Sequence, residues 1–380
     1  MHNEVPMMCS TSSWVFTSCF AIFAVACAGK TNSPSPTPAA VDSCRSGWDP
    51  LTSLRSGVFA RQLIEYNGEL LYFAFGTDQT ARIEAQPIAG GQSRVVAQTG
   101  PVWDLWLRGD QLYYTWEGNV WKVPASGGTP VQLITHTPDT YSDPMSKEAL
   151  SDTRFYWLKV YSDSSQVNHQ EVWSAPLDGT NPESLFAVIE PPGVQRFDIV
   201  NNSLVIASYD PNSLRTGAVY PLDGSAPHDL ASAATWNFIG LDSQALYATQ
   251  WVNETQQAMI AIPLDGGAPR NIWRNLPALV YPQNIWSDGN GRWLVSADEQ
   301  FDDGLTHKAL YFLAGDGTGS RTACNASSYN QDHDYIDVTA AFTTDAAFVI
   351  RVEDPESLYD PDASVNFPAW QIMRVPRPTR

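Results

Sequence analysis

Apolar residues along most of this chain arrive in short bursts that alternate with polar positions and stop at Gly, Asp, Asn or Pro, the signature of half-buried β-strands joined by turns. The stretch from Phe238 to Trp273 shows the unit. Phe238–Leu241 is a short apolar run, Asp242-Ser243-Gln244 a polar turn, and Leu246, Tyr247 and Thr249 are β-formers. Met259–Pro263 makes another strand, Asp265-Gly266-Gly267 turns again, and Asn271–Trp273 ends the unit. That predicts four short strands and two tight turns, with Gly and Asp supplying the positive φ of the second turn.

Both turns recur. The first returns as YNGELLYF at Tyr66, RGDQLYYT at Arg108, SDTRFYWL at Ser151, NNSLVIAS at Asn201, DGNGRWLVS at Asp288 and TDAAFVIR at Thr344. The second is marked by Pro87, Pro124, Pro176, Pro221, Pro263, a degenerate Ala314 in LAGDG, and Pro376, a mean spacing of about 48 residues. Seven repeats of that length predict an all-β chain, a seven-bladed β-propeller of four-stranded antiparallel blades. The long interval before Pro376 and the weak sixth repeat keep six or eight blades as alternatives.

Closure gives an independent check. The seventh repeat ends after its third strand, while DPLTSL (Asp49–Leu54) resembles the fourth strands TPVQLI and NPESLF and has no earlier repeat to join. The surplus strand fits the vacancy and predicts an N-terminal latch that removes an open sheet edge. Cys44 precedes that latch and Cys324 falls in the fourth-strand region of the sixth repeat, next door in the ring. A Cys44–Cys324 disulfide is therefore expected in an oxidising compartment.

The first residues read differently. Trp14–Ala26 is apolar and uncharged, too short to span a bilayer comfortably and suited to a secretory signal. Residues 1–26 are therefore expected to be a signal peptide, 27–48 a Ser/Pro-rich tether and 49–380 the propeller. Ala24-Val25-Ala26-Cys27 resembles the lipobox of bacterial lipoproteins, with Ala24 where Leu is usual. That resemblance implies lipidation of Cys27, an outer-membrane or periplasmic location, and contact with the membrane through the anchor alone. The same Ala24-Val25-Ala26 fits ordinary signal cleavage, which would release a secreted protein.

The chain of 380 residues is 43% apolar, ample for a packed core. Its 22 Lys and Arg against 41 Asp and Glu leave a net charge of −19, which repels a phosphate backbone and excludes nucleic acid as a partner. Trp103, Trp106, Trp121, Trp157, Trp173 and Trp370 lie inside the strand pattern and are expected in the core. No G-x-S-x-G, H-E-x-x-H, Walker or dinucleotide motif occurs, so neither a cofactor nor a motif-bearing hydrolase is expected. The last repeat runs to the C-terminus, so no separate hydrolase domain is expected either. The repeats as a whole resemble the bacterial exported propellers grouped as TolB-like or YWTD-like, over about Asp49–Pro376. Their recurring residues are turn formers and core aromatics, which imply architecture and leave function open.

Strand alternation puts the regular turns on one face of the disc and the irregular links on the other, where a binding site is expected. Those links are acidic and aromatic. They offer Tyr141, Asp143, Asp302, Asp303, His307, Asp332, His333, Asp334, Tyr359 and Asp360 as binding candidates, with Tyr281 beside them. Asp298, Glu299, Asp302 and Asp303 lack the alternating spacing of a calcium loop, so no metal is expected. The leading expectation is a monomeric binding scaffold of the cell envelope with a protein, peptide or glycan partner. The alternative is a lyase-like propeller enzyme using His136, His169, His307 or His333 as general acid or base.

Overall fold

The computed structural model describes residues 49–53, 55, 58–76, 81–102, 104–135, 147–162, 168–188, 194–209, 215–231, 236–253, 256–300, 306–324, 334–353 and 370–377. Strand β1 is Asp49–Pro50. Blade 1 comprises β2 (Val58–Tyr66), β3 (Glu69–Gly76), β4 (Ala81–Pro87) and β5 (Arg94–Thr99). Blade 2 is β6 (Leu105–Arg108), β7 (Gln111–Trp116), β8 (Asn119–Pro124) and β9 (Val131–Ile134). Blade 3 is β10 (Glu148–Leu150), β11 (Arg154–Ser162), β12 (Asn168–Pro176) and β13 (Glu183–Val188). Blade 4 is β14 (Val194–Val200), β15 (Ser203–Tyr209), β16 (Arg215–Pro221) and β17 (His228–Asp229). Blade 5 is β18 (Trp236–Leu241), β19 (Ala245–Asn253), β20 (Gln256–Pro263) and β21 (Arg270–Asn271). Blade 6 is β22 (Val280–Ser287), β23 (Trp293–Gln300), β24 (Thr306–Leu313) and β25 (Gly319–Cys324). Blade 7 is β26 (Asp334–Phe342), β27 (Ala346–Glu353), β28 (Trp370–Pro376) and, as its fourth strand, β1. The fold is a seven-bladed β-propeller with every neighbouring pair antiparallel.

Burial follows from that arrangement. Both faces of each blade press on neighbours, so the strand interiors are apolar on both sides rather than alternating, as in Glu69–Gly76, where only Glu69 and Phe75 are not fully buried. The apolar side chains gather into seven clusters, each shared by two successive blades. One of them joins blade 7, through Phe348, Ile350, Trp370 and Ile372, to Leu63, Leu70 and Tyr72 of blade 1. A row of seven blades would have only six such contacts; the seventh closes the ring. Of the expected core tryptophans, Trp157 and Trp370 are buried. Trp106, Trp121 and Trp173 are only partly so, and Trp103 lies outside the described residues. The Trp173 ring stacks with Trp157, 6.3 Å between centroids, and Lys159 Nζ lies 4.7 Å from its centroid.

The two repeated turns bond to each other. The residue after the marker proline donates its backbone N–H to a carbonyl of the first turn in blades 1 (Ile88 to Gly68), 2 (Ala125 to Asp110), 3 (Leu177 to Thr153), 4 (Leu222 to Asn202) and 5 (Leu264 to Gln244). Arg377 does the same to Asp345 in blade 7. Within the second turn, the glycine N–H donates to the marker carbonyl, as Gly179 to Pro176 at 2.8 Å, and the aspartate caps the residue two further on, as Asp178 Oδ1 accepts from Thr180 N at 3.0 Å. Gly179 has a φ of 78°, and a Cβ there would stand 1.8 Å from the Leu133 carbonyl of the preceding blade. Glycine is thus required by backbone shape and by inter-blade contact together.

The latch forms as expected. Asp49 pairs with Arg374 and Pro50 with Met373, Leu51 N donates to Ile372 O, and Arg55 exchanges both backbone hydrogen bonds with Trp370 at 2.8 Å each. The Arg55 guanidinium lies 5.0 Å from the Trp370 ring centroid and donates to Glu84 of blade 1 at 2.6 and 3.1 Å. Tyr72 Oη and Arg82 Nε also donate to Glu84. Burial by itself raises the Glu84 pKa, but the bonds from Arg55, Tyr72 and Arg82 outweigh it and hold the carboxyl down at about 2. Cys324 ends β25, the fourth strand of blade 6; its expected disulfide partner Cys44 lies outside the described residues.

A glutamate whose folded pKa is about 2 against an ordinary 4.5 contributes stability that is complete above pH about 4.5 and lost as pH falls toward 2. Glu84→Gln leaves Arg55 and Arg82 without their counter-charge, puts an amide NH2 against one of them, and is expected to cost roughly 3–5 kcal/mol, read as a lowered denaturant midpoint at pH 7. It should also flatten the acid limb of the stability profile. An unchanged midpoint would show that the ring does not depend on this contact.

Candidate functional site

Most of the expected site lies outside the described residues: Tyr141, Asp143, Asp302, Asp303, Asp332, His333, Tyr359 and Asp360, as do His136 and Cys27. The backbone places His307 near the start of β24 and Asp334 at the start of β26, both at the irregular end of their blades. His169, on β12 opposite Tyr161, is half-buried at the same end. That end is less uniformly irregular than expected. Glu117 and Gly118 alone join β7 to β8 with φ of 51° and 69°, a two-residue hairpin of the type that matches strand twist. The long links crowd instead at 135–147, 325–333 and 354–369.

One aromatic pair on this end is fully described. Trp251 and Val252 close β19 and are 48% and 61% exposed. The Trp251 ring meets Tyr281, at the start of β22 in the next blade, with centroids 5.4 Å apart and planes at 48°. Tyr281 stands opposite Asp298 on β23, and the following Glu299 is buried and accepts from the Tyr311 hydroxyl. The sequence pointed to Tyr281; Trp251 was hidden in an ordinary strand pattern, and its only signal was a bulky aromatic beside Asn253 at a strand end. The pair leaves a large aromatic surface in water at this end of the ring.

The innermost strands form a second polar feature. The β2 ladder shifts register between Arg61 and Leu63, and the extra residue, Gln62 at φ 52°, donates Nε2 to Asp104 Oδ1 of blade 2 at 3.2 Å. Comparable shifts interrupt β14, β18, β22 and β26. Such bulges re-aim side chains. On β14, burial depresses the Arg196 pKa and raises that of Asp198 to about 6, with the Asp104 charge adding to the rise and Arg196 and Arg108 opposing it. Asp198 keeps contact with solvent although protein surrounds it. β14 and β6, which carry or adjoin these groups, are the first strands of their blades.

Two cavities open on the regular-turn end. One, of about 520 Å³, lies between blades 4 and 5 and is lined by Asn201, His228, Gln244, Pro263 and Arg270 among others. Its histidine is satisfied, with Nε2 2.8 Å from the Leu264 carbonyl. The other, about 400 Å³, lies between blades 6 and 7. Among the described residues no three His, Cys, Asp or Glu side chains are grouped to hold a metal ion, and no helix is long and apolar enough to cross a membrane.

No family model matches the chain, and no curated protein matches it. Solved structures do. The acylaminoacyl peptidase of Pyrococcus horikoshii aligns with a TM-score of 0.54 at 8% identity, over 78% of this chain and 49% of that one. The β-propeller domain of the Trilobed protease from Pyrococcus furiosus, described as having an open velcro topology, aligns with a TM-score of 0.54 at 9% identity, over 83% of this chain and 97% of that one. TolB from Acinetobacter baumannii aligns with a TM-score of 0.42 at 11% identity, over 66% of this chain and 62% of that one. The chain spans about half the length of the peptidase. At these identities the likeness shows the fold alone.

Asp198 titrates above its ordinary value, so its ionisation opposes folding: the penalty is present above pH about 6 and absent below about 3.8. Asp198→Asn is therefore expected to raise the melting temperature at pH 8 and to leave it nearly unchanged at pH 3.5. An equal effect at both pH values would mean that the carboxyl charge is not what the ring opposes.

Proposed function

We propose that this chain is an exported, lipid-anchored propeller whose irregular-loop end binds a protein of the cell envelope. The observation that carries the reading is the Trp251–Tyr281 pair, which offers an apolar anchor at the end of the ring where the acidic links gather. Aromatic anchors give large contact area for little lost conformational freedom. Flanking carboxylates favour a partner with basic side chains around its own apolar contact and speed its approach. Tyr141, Asp143, Asp302, Asp303, His307, Asp332, His333, Asp334, Tyr359 and Asp360 extend the same surface in this reading. The Ala24–Cys27 segment, the apolar run before it and the Pro-punctuated tether after it support export and anchoring.

The test compares the two ends of the disc in intact cell envelopes. A photo-crosslinking residue in place of Trp251 should trap a discrete protein, and one in place of Ser225 on the regular-turn end should not. Changing Asp302, Asp303, Asp332, Asp334, Asp360 and Asp362 to Asn should weaken that adduct severalfold. Adducts of equal strength from both ends, or none from Trp251, would overturn the reading. Export by the lipid route predicts that labelled palmitate enters the wild-type chain and not Cys27→Ser; label in neither would favour secretion without an anchor.

A further inference from the structure

We infer that the inner opening of the ring binds a small zwitterion, an amino acid-like molecule whose carboxylate meets Arg196 and whose ammonium group meets Asp198. Both side chains belong to β14. After the register shift between Val194 and Arg196, that strand pairs regularly with β15, so residues 196 and 198 share one face, their Cα atoms roughly 6.5 Å apart. Phe197 turns the other way, into the apolar cluster shared with blade 3. First strands of neighbouring blades lie side by side, β2 with β6 and β26, β10 with β14, and β18 with β22. They therefore form the inner wall of the ring, where a propeller leaves a central channel. On that wall Asp198 is exposed and Arg196 half-buried.

Among the described residues neither group is joined to an opposite charge. Asp198 accepts one hydrogen bond, from the Ile199 backbone N–H at 3.0 Å. Arg196 donates none among the described residues, and none of its guanidinium nitrogens is sealed from solvent. Their surroundings oppose both charges: burial lowers the Arg196 pKa and raises that of Asp198, and the attraction between the two offsets this only in part. The charges nearby are already engaged. Asp104 accepts from Gln62 at 3.2 Å, and Arg108 donates to the Leu107 and Leu150 carbonyls and lies 3.4 Å from Asp152. An anion alone would leave the Asp198 charge opposed, and a cation alone would leave that of Arg196. A molecule with the complementary pair of charges relieves both. This site is independent of the partner proposed for the irregular-loop end.

The test uses the full chain at pH 8, where Asp198 is ionised, with calorimetry or ligand-observed magnetic resonance. The probes are glycine, β-alanine and 4-aminobutyrate, whose two charges stand progressively further apart, and the half-ligands propionate and propylamine. At least one zwitterion should bind about tenfold or more tightly than either half-ligand, the difference that one charge-assisted hydrogen bond makes. Asp198→Asn, a variant expected to be more stable at this pH, should reduce that zwitterion to the level of propionate. Arg196→Met should reduce it to the level of propylamine. Failure of all three zwitterions to bind overturns the inference, and so does a half-ligand that binds as tightly. Affinity that survives in Asp198→Asn overturns it too, which decides the matter even where the arginine variant fails to fold.

Discussion

The ion pair between Glu84 and Arg55 fixes a residue that joins the two ends of the chain. Arg55 pairs through its backbone with Trp370 in the last blade and through its guanidinium with Glu84 in the first. One residue thus spans the only seam in the ring where covalent continuity gives no help. Without the latch, β28 would present an open row of backbone donors and acceptors, and the cluster containing Trp370, Phe348 and Leu63 would lose the cover of Leu51. Each inter-blade cluster is small, so the fold depends on every blade having two neighbours. Burying Glu84 with three donors is the cost of having a neighbour on each side of blade 1.

Within the blades, the bond between the two turns does the corresponding work on a smaller scale. It converts four strands into a unit whose regular-turn end is fixed by backbone groups alone, so side chains at that end are free to differ. The Asx cap at Asp178, Asp223, Asp265 and Asp316 repeats the economy. In blade 6 that bond is missing among the described residues, and Arg377 of the next blade reaches across to Asp288 of the first turn.

This division explains what the sequence revealed. Turn chemistry is local, needing Gly, Asp or Asn at fixed offsets, and so the seven repeats and the surplus strand at Asp49 could be read directly. The pairing of Arg55 with Glu84 joins positions that no local pattern connects. The bulges on β2, β14, β18, β22 and β26 leave no shared residue type; Gln62 and Arg196 look like ordinary polar positions in a strand. Trp106, Trp121 and Trp173 were expected in the core because strand pattern registers a bulky aromatic without saying how near it lies to the blade's edge. The irregular end was located correctly by strand alternation. Its residues are scattered over links that share no repeat, and the one pair the structure describes joins a strand end, Trp251, to the start of the next blade, Tyr281.

Both departures from the repeat flank blade 6. Trp251 and Tyr281 meet across its boundary with blade 5 at the irregular end, and the Arg377 chamber opens on its boundary with blade 7 at the other. A ring of seven equal sectors tolerates this because closure depends on the buried middle of each blade. There blade 6 conforms: Leu294, Val295, Leu310 and Phe312 pack like their counterparts. Strand ends contribute little to inter-blade burial, so an exposed tryptophan or a missing bond between two turns costs the ring almost nothing. The sequence diverges most from its own repeat where the fold demands least, and a surface fitted to another molecule can be built there without opening the ring.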